Sequence, residues 1–507
     1  MVLLADVVAT SAKVAATRSR KVKTQVLAEL LVATSNPDEL SVVVGFLIGE
    51  PRQGRFGIGW TTLSAIEGPV ASVPELGVGA VDAALHTLAE TTGTGSAGRR
   101  HELLSGLLSR ATPDEQRFLV GLLTGELRQG ALEGVMLDAV AAAAGVPADA
   151  VRRAFMLSGR LPATAAAALH SGAAALAAFR LELGRPVRPM LASPANSLDA
   201  ALADTRPASV EYKLDGARIQ VHRDGDAVRV WTRTLREITA GVPELVELVR
   251  ALPCESVVLD GETLALTDDG RPRPFQETMS RFGAESGELL LRPFFFDCLH
   301  LDGADLLDTP LRERLSALDR VAAAYRIPSV QQQDAAAELL DAALAAGHEG
   351  VMVKSLAAPY AAGRRGKAWQ KVKPVHTLDL VVLAAEWGHG RRRGWLSNLH
   401  LGARDPDGGP PVMVGKTFKG LTDDLLTWQT ARLQELARRT DRYTVHVRPE
   451  LVVEIELDGV QTSTRYPGGV TLRFARVLRY RPDKDAGDAD TIDAVRVWTR
   501  TLREITA

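Results

Sequence analysis

The run Glu211-Tyr212-Lys213-Leu214-Asp215-Gly216, flanked on both sides by strand-like residues, puts a single lysine at a strand end just before an Asp-Gly turn. Such a position presents one side-chain amine as a nucleophile toward a nucleotide phosphate. A lysine is mostly protonated at neutral pH, with an ordinary pKa of about 10.4. It attacks phosphorus only where desolvation and neighbouring cations favour its neutral form. Lys213-x-Asp215-Gly216 taken alone also reads as a plain turn rich in Asp and Gly. The chemical reading therefore requires the rest of the chain to supply a cationic pocket shaped for a nucleotide.

An ordered series of segments meets that requirement. Arg218 follows the lysine, and Thr232-Arg233-Thr234 comes after a hairpin turned at Asp224-Gly225. Then come Leu259-Asp260-Gly261-Glu262, Phe294-Phe295-Phe296-Asp297, Glu349-Gly350-Val351-Met352-Val353-Lys354 and Trp369-Gln370-Lys371-Val372-Lys373-Pro374. Transfer of an α-phosphoryl group from a triphosphate calls for cations around the phosphates and a divalent metal where charge gathers on the leaving group. Lys354, Lys371 and Lys373 suit the first need. Strand alternation would place Lys371 and Lys373 on one face with Val372 turned to the core. Glu262 and Glu349 suit the second, because Mg²⁺ takes a few carboxylate oxygens together with water and phosphates. Each of these charges also reads as a solvated surface group.

In this order and at these spacings, the segments from about 213 to 374 resemble the covalent nucleotidyltransferases, and specifically the ATP-dependent DNA ligases. The resemblance implies that Lys213 is the covalent adenylyl-lysine and that Glu211 reads the adenine amino group. It further implies that Arg218, Arg233 and Glu262 hold ribose and phosphate, that Phe296 stacks on adenine, and that Arg365 makes a further nucleotide contact. Phe296 reads equally as a core residue of its apolar strand. Gly363, Arg364, Gly366 and Lys367, around Arg365, look like a mobile cationic loop. Near the C-terminus, the segment from Leu472-Arg473-Phe474-Ala475-Arg476 to Arg481-Pro482-Asp483-Lys484 resembles the family's last motif. There Arg481 and Lys484 would orient departing pyrophosphate. Ala475 stands where relatives commonly carry proline.

The 507 residues allow roughly three domains on the usual size prior, and the net charge of −2 requires any DNA-binding surface to be local. The expected fold is multidomain α+β. Residues 1–183 read as all-α, with apolar positions such as Phe118, Leu119, Leu122, Leu123 and Leu127 at helical spacing; the resemblance implies a DNA-binding domain there, and a protein-interaction bundle fits the same pattern. Gly125-Glu126-Leu127-Arg128-Gln129-Gly130 resembles an element of the family's helical domain. After a linker with two prolines, residues 184–374 read as an α+β adenylyltransferase of ATP-grasp-like nucleotidyltransferase type. Residues 375–486 carry short strands that the resemblance names an oligonucleotide-binding (OB) barrel, with a hinge expected around Pro374-Val375-His376 so that the barrel closes over ATP and then turns to DNA. The tail, 487–507, contains a letter-for-letter copy of 226–240 at 493–507. It has no Lys-x-Asp-Gly strand before it, so Arg500 is expected to bind no nucleotide and the tail to be peripheral or poorly ordered.

Cys254 and Cys298 are too few for a disulfide framework or a four-cysteine zinc module; NAD-dependent ligases, which share the Lys-x-Asp-Gly element, carry such a module, so the resemblance implies ATP as the cofactor. The alanine-rich stretches near 140 to 178 are interrupted by Gly, Pro, Arg and His and read as soluble helices, not membrane spans. The resemblance thus implies an ATP-dependent ligase sealing nicked duplex DNA with Mg²⁺ or Mn²⁺, monomeric, cytoplasmic and without membrane contact. Its layout is similar to the actinobacterial type called ligase B, and replication, repair and recombination all draw on this chemistry. An RNA ligase, an mRNA-capping nucleotidyltransferase and a non-catalytic nick-binding scaffold remain as alternatives.

Overall fold

The computed structural model describes residues 1–54, 56–64, 66, 68–127, 133–268, 270–273, 275–281, 290–361, 365–374 and 376–497. Up to Ala178 every element of regular structure among them is helical. Local signals set the helix ends. At Pro113–Thr124, Thr112 Oγ1 accepts from the Glu115 amide at 3.4 Å while Glu115 Oε2 accepts from the Thr112 amide at 2.8 Å, and Gly125 closes the helix at φ 71°. The apolar face so formed, Phe118, Leu119, Leu122 and Leu123, is buried in one core with Val7, Leu31, Phe46 and Met136. Arg128, Gln129 and Gly130 lie outside the described residues. Leu161–Ala178 is the one helix among the described residues long and apolar enough to cross a membrane by length and composition. It breaks at Gly172 (φ 65°) and packs on Pro37–Ile48 and Ala148–Ser158.

Two five-stranded sheets follow. Among their strands are β1 (Ala208–Lys213), β2 (Ala217–Asp224), β3 (Ala227–Thr232), β4 (Ser256–Ala265), β5 (Leu291–Leu301), β6 (Gly350–Ser355) and β7 (Arg365–Val372). One sheet centres on β7, β6 and β1; the other runs β3, β2, β4, β5. Each buries one face under helices. Val210, Val351, Val353 and Val372 meet Leu198–Asp204 and Ala336–Ala345, and Ile219, Val221, Leu259 and Phe295 meet Pro243–Arg250 and Leu311–Ala322. The two remaining faces meet each other through Leu214, Val258, Leu264, Phe296, Tyr360 and Trp369. A crevice thus opens between two sheets held rigid from behind. The proline-containing linker is fastened to the second sheet, with Val187 N–H donating to Gln220 Oε1 at 2.8 Å and Gly184 N–H to His222 Nδ1 at 3.1 Å.

The last unit is a curled sheet around the long strand His376–Trp387, which pairs with Leu396–Ala403, Thr444–Val447 and Val452–Leu457. Its bulges at Val382/Ala384 and Glu386/Trp387 let one strand serve several partners. Its core corrects one expectation. The described part of the tail, 487–497, is not peripheral: Ala489, Ile492 and Val495 are buried, residues 492–497 are helical, and the Ile492 amide donates to the Arg404 carbonyl at 2.9 Å. The five letters Asp-Ala-Val-Arg-Val thus have two structures. As Asp226–Val230 they alternate, with Val228 and Val230 inward on a strand; at 493–497 Ile492 and Val495 share one helical face instead. Residues 498–507, Arg500 among them, lie outside the described residues.

Candidate active site

The registers of β1, β6 and β7 assemble three cross-strand rows on the crevice face. Ser209, Lys354 and Trp369 form one, Glu211, Met352 and Lys371 the next, and Lys213 with Gly350 the third, beyond which Lys373 follows. Directly opposed residues share a face, so Glu211, Lys213, Lys371 and Lys373 project together while Val372 is buried behind them. Two motif glycines are required by close approach. A Cβ on Gly216 would meet the Thr263 carbonyl at 2.5 Å and Glu262 Cγ at 2.9 Å, and one on Gly350, at φ 139°, would collide with the Val372 carbonyl.

Lys213 is half-buried and ion-paired with Glu349, whose own amide donates to the Lys213 carbonyl at 3.0 Å. Burial pulls the amine down to about 8; Asp215 and Glu262 act against that, and Lys373 and Lys371 add to it. Glu262, on β4 across the crevice, is pushed up to about 7 by burial, restrained by Arg218 and Lys213. It makes no hydrogen bond or ion pair among the described residues, where no group of three His, Cys, Asp or Glu side chains is placed to hold a metal by itself. Glu262 and Glu349 flanking one amine therefore fit a metal that takes its remaining ligands from phosphate and water.

The other expected site residues fall into three settings. Arg218 faces the crevice but is locked: it donates to both Asp260 oxygens at 3.0 and 2.7 Å and to the Met190 carbonyl at 2.6 Å, and Tyr360 donates to Asp260 at 2.6 Å. Phe296 is buried edge-on to Trp369, their centroids 5.9 Å apart. Arg233 is exposed past the end of β3, beside the Arg218 end of β2. Lys354, expected among the phosphate cations, is instead wholly buried on the Glu211 carboxylate. Arg365 opens β7, Gly363 and Arg364 lie outside the described residues, and Lys367 reaches Asp204 at 2.9 Å. Arg481 and Lys484 are held inside the last unit, both on Asp379, at 3.0 and 2.6 Å.

Two contacts that the sequence reading missed join the barrel to the crevice. Arg473 donates to Asp215 at 2.7 Å, and Asp458, whose amide donates to the Arg473 carbonyl at 3.0 Å, pairs with Lys373 at 2.5 Å. The hairpin Gly459–Thr462 and Val470–Arg473 is thus clipped onto the turn after Lys213 and onto one of its flanking lysines. Of the expected hinge, Val375 lies outside the described residues, and His376 already pairs with Leu457 in the barrel sheet.

Three family models match: DNA ligase N terminus at 65–141, ATP dependent DNA ligase domain at 189–373 and ATP dependent DNA ligase C terminal region at 392–484. A protein of Saccharopolyspora erythraea named "Probable DNA ligase" is 70% identical, with 98% of each chain covered. One of the same name from Rhodococcus jostii is 68% identical over 97% of this chain and 99% of its own. The solved structure Pmar-Lig_PreS3 superposes with a TM-score of 0.62 at 18% identity, covering 94% of this chain and 99% of the other, which supports the fold.

Proposed function

Because this chain belongs to the ATP-dependent DNA ligases, with nick sealing as the activity of the family, we propose that Lys213 is its covalent nucleophile and that ATP and nicked duplex DNA are its substrates. The observation that carries this reading is one half-buried amine with a lowered pKa, set between Glu349 and Glu262 and in the same row system as Lys371 and Lys373. Lys213 Nζ forms a bond to the α-phosphorus, the bond to the bridging oxygen breaks, pyrophosphate leaves, and the amine loses its proton to solvent. A DNA 5′-phosphate oxygen then displaces the lysine, and the 3′-hydroxyl displaces AMP to seal the strand. Lys371 and Lys373 hold phosphate oxygens. Magnesium, with manganese as a substitute, would be held by Glu262 and Glu349 and would neutralise charge on the departing pyrophosphate. Intact-mass spectrometry with ATP and magnesium tests the central step: an adenylyl adduct on Lys213 is expected, and its absence with every nucleotide tried removes the reading. The enzyme is read as a cytoplasmic monomer.

The neutral amine is the attacking form, so a lowered pKa brings activity into the physiological range. At pH 7.5 roughly a quarter of Lys213 would be neutral, against about 0.1% for an ordinary lysine. Single-turnover adenylylation is expected to rise about tenfold per pH unit below pH 7, where Glu262 protonation adds further loss, and to level off above about pH 8. A rate still climbing past pH 9.5 would show that burial does not tune this amine.

The barrel presents the Asp458–Arg473 clip to the crevice while Arg481 and Lys484 stay on Asp379, which supports assigning this arrangement to the DNA-facing steps. Arg473→Ala is then expected to lower sealing of nicked DNA about tenfold, a coupling energy usual for contacting charged residues, with self-adenylylation within about twofold. Equal losses in both steps would argue against that assignment.

A further inference from the structure

The row system gives the crevice a direction, and Lys354 sits at the wrong end of it for a phosphate ligand. Lys213 opposes Gly350, and Lys354 lies four residues further along β6, about 13 Å away at the usual rise per residue. Glu211 stands between the two. The Lys354 ammonium is ion-paired with the Glu211 carboxylate and lies 4.0 Å from the Phe296 ring centroid and 4.1 Å from that of Trp369. It cannot reach toward Lys213 without leaving all three partners. In the same row Ser209 Oγ and the Trp369 indole N–H are buried and have no hydrogen-bond partner among the described residues. Buried polar atoms are rarely left so, and a purine brings ring-nitrogen acceptors that match them.

Resting on the reading that Glu211 faces the nucleobase, we propose that Lys354 is a positioning residue for base selection: it fixes the Glu211 carboxylate as a charged acceptor for a purine 6-amino group. The discrimination follows from donor and acceptor count. An ionised carboxylate only accepts, so it satisfies a 6-amino purine and repels the carbonyl of a 6-oxo purine. A protonated Glu211 would donate and accept the 6-oxo base instead. Burial raises the Glu211 carboxyl above the usual carboxylate range and pulls the Lys354 amine below the usual lysine range, and the charge of each partner opposes that shift on the other. The two aromatic faces hold the ammonium in place, an arrangement that strengthens as water is excluded.

The test compares covalent labelling of full-length enzyme by ATP and by inosine triphosphate, which differ in the 6-substituent and in the proton that the 6-oxo base carries on N1. Lys354→Met is expected to raise KM for ATP about tenfold, to keep kcat at saturating ATP within about threefold, and to cut the preference for ATP over inosine triphosphate at least tenfold, as expected for loss of a hydrogen bond to a charged group. Lys354→Arg should restore most of that preference. If Lys354→Met lowers kcat for both nucleotides and leaves the preference intact, Lys354 serves the phosphates and the proposal is overturned. Glu211→Gln separates the proposal from the reading beneath it: an unchanged preference in that variant refutes the placement of Glu211 at the base. A lost preference there, with Lys354→Met normal, refutes the role of Lys354 alone. Should Lys354→Met fail to fold, Lys354→Met/Glu211→Gln carries no unpaired buried charge; it should match Glu211→Gln, and any further loss of kcat in it overturns the proposal.

Discussion

Lys213→Ala abolishes self-adenylylation and, with it, sealing from ATP. The expected loss is on the order of a million-fold, the scale seen when a covalent nucleophile is deleted. No neighbouring amine can take over. Lys371 lies in the Glu211 row, one row short of Lys213, and Lys373 stands at the end of β7, across β6 from Lys213. Lys354 is further off still and wholly buried on Glu211. Lys213→Arg is expected to be equally inactive, since a guanidinium stays protonated at any working pH. The informative control is a nick whose 5′-phosphate is already adenylylated. Its closure needs the 3′-hydroxyl and the phosphate-binding groups but no amine nucleophile, so Lys213→Ala should retain far more of this activity than of the complete reaction. An adenylyl adduct found on Lys213→Ala protein by intact-mass spectrometry would show that another residue is the nucleophile, and the row geometry would have to be reread.

What was legible in the letters was whatever depends on local order. The helical period of Phe118 to Leu123, the Asp224-Gly225 hairpin and the alternation of Lys371, Val372 and Lys373 each set a local structure, and each is found. What was not legible is partner choice. Glu211 and Lys354 are 143 positions apart by number, and only the β1–β6 register brings them together. The Asp260 that locks Arg218 stood in the same motif as Glu262 with nothing to mark it, because a strand shows which face a residue takes but not what crosses from the next strand. The barrel contacts of Asp215 and Lys373 depend on how two units meet, and no sequence period encodes that. The repeated tail is the sharpest case. The same letters form a strand at 227–230 and a helix at 494–497, so tertiary burial, not local propensity, selects between them.

Asp297, the acid of the Phe-Phe-Phe-Asp segment, illustrates how a motif residue can serve the scaffold and not the chemistry. It and Arg314 are both fully buried and joined by two bonds, Nε to Oδ1 at 2.7 Å and the second guanidinium nitrogen to Oδ2 at 3.0 Å. Arg314 also donates to the Thr309 carbonyl at 2.7 Å and the Ala358 carbonyl at 3.1 Å, so one guanidinium ties β5, its helix Leu311–Ala322 and the loop after β6 together. Asp297→Ala strands that cation without a counter-charge, which costs about 3–5 kcal/mol. In a unit of this size the loss lowers the melting temperature by roughly 10 °C. Because the damage is to a buried charge and not to the crevice, adenylylation measured well below the transition should persist in Asp297→Ala. The double variant Asp297→Ala/Arg314→Met removes both charges and should recover most of the lost stability, since apolar replacement of a buried pair is often neutral. A melting temperature within about 2 °C of the parent for Asp297→Ala alone, again on the size scaling of unfolding, would mean that water reaches Arg314 and that the pair contributes little.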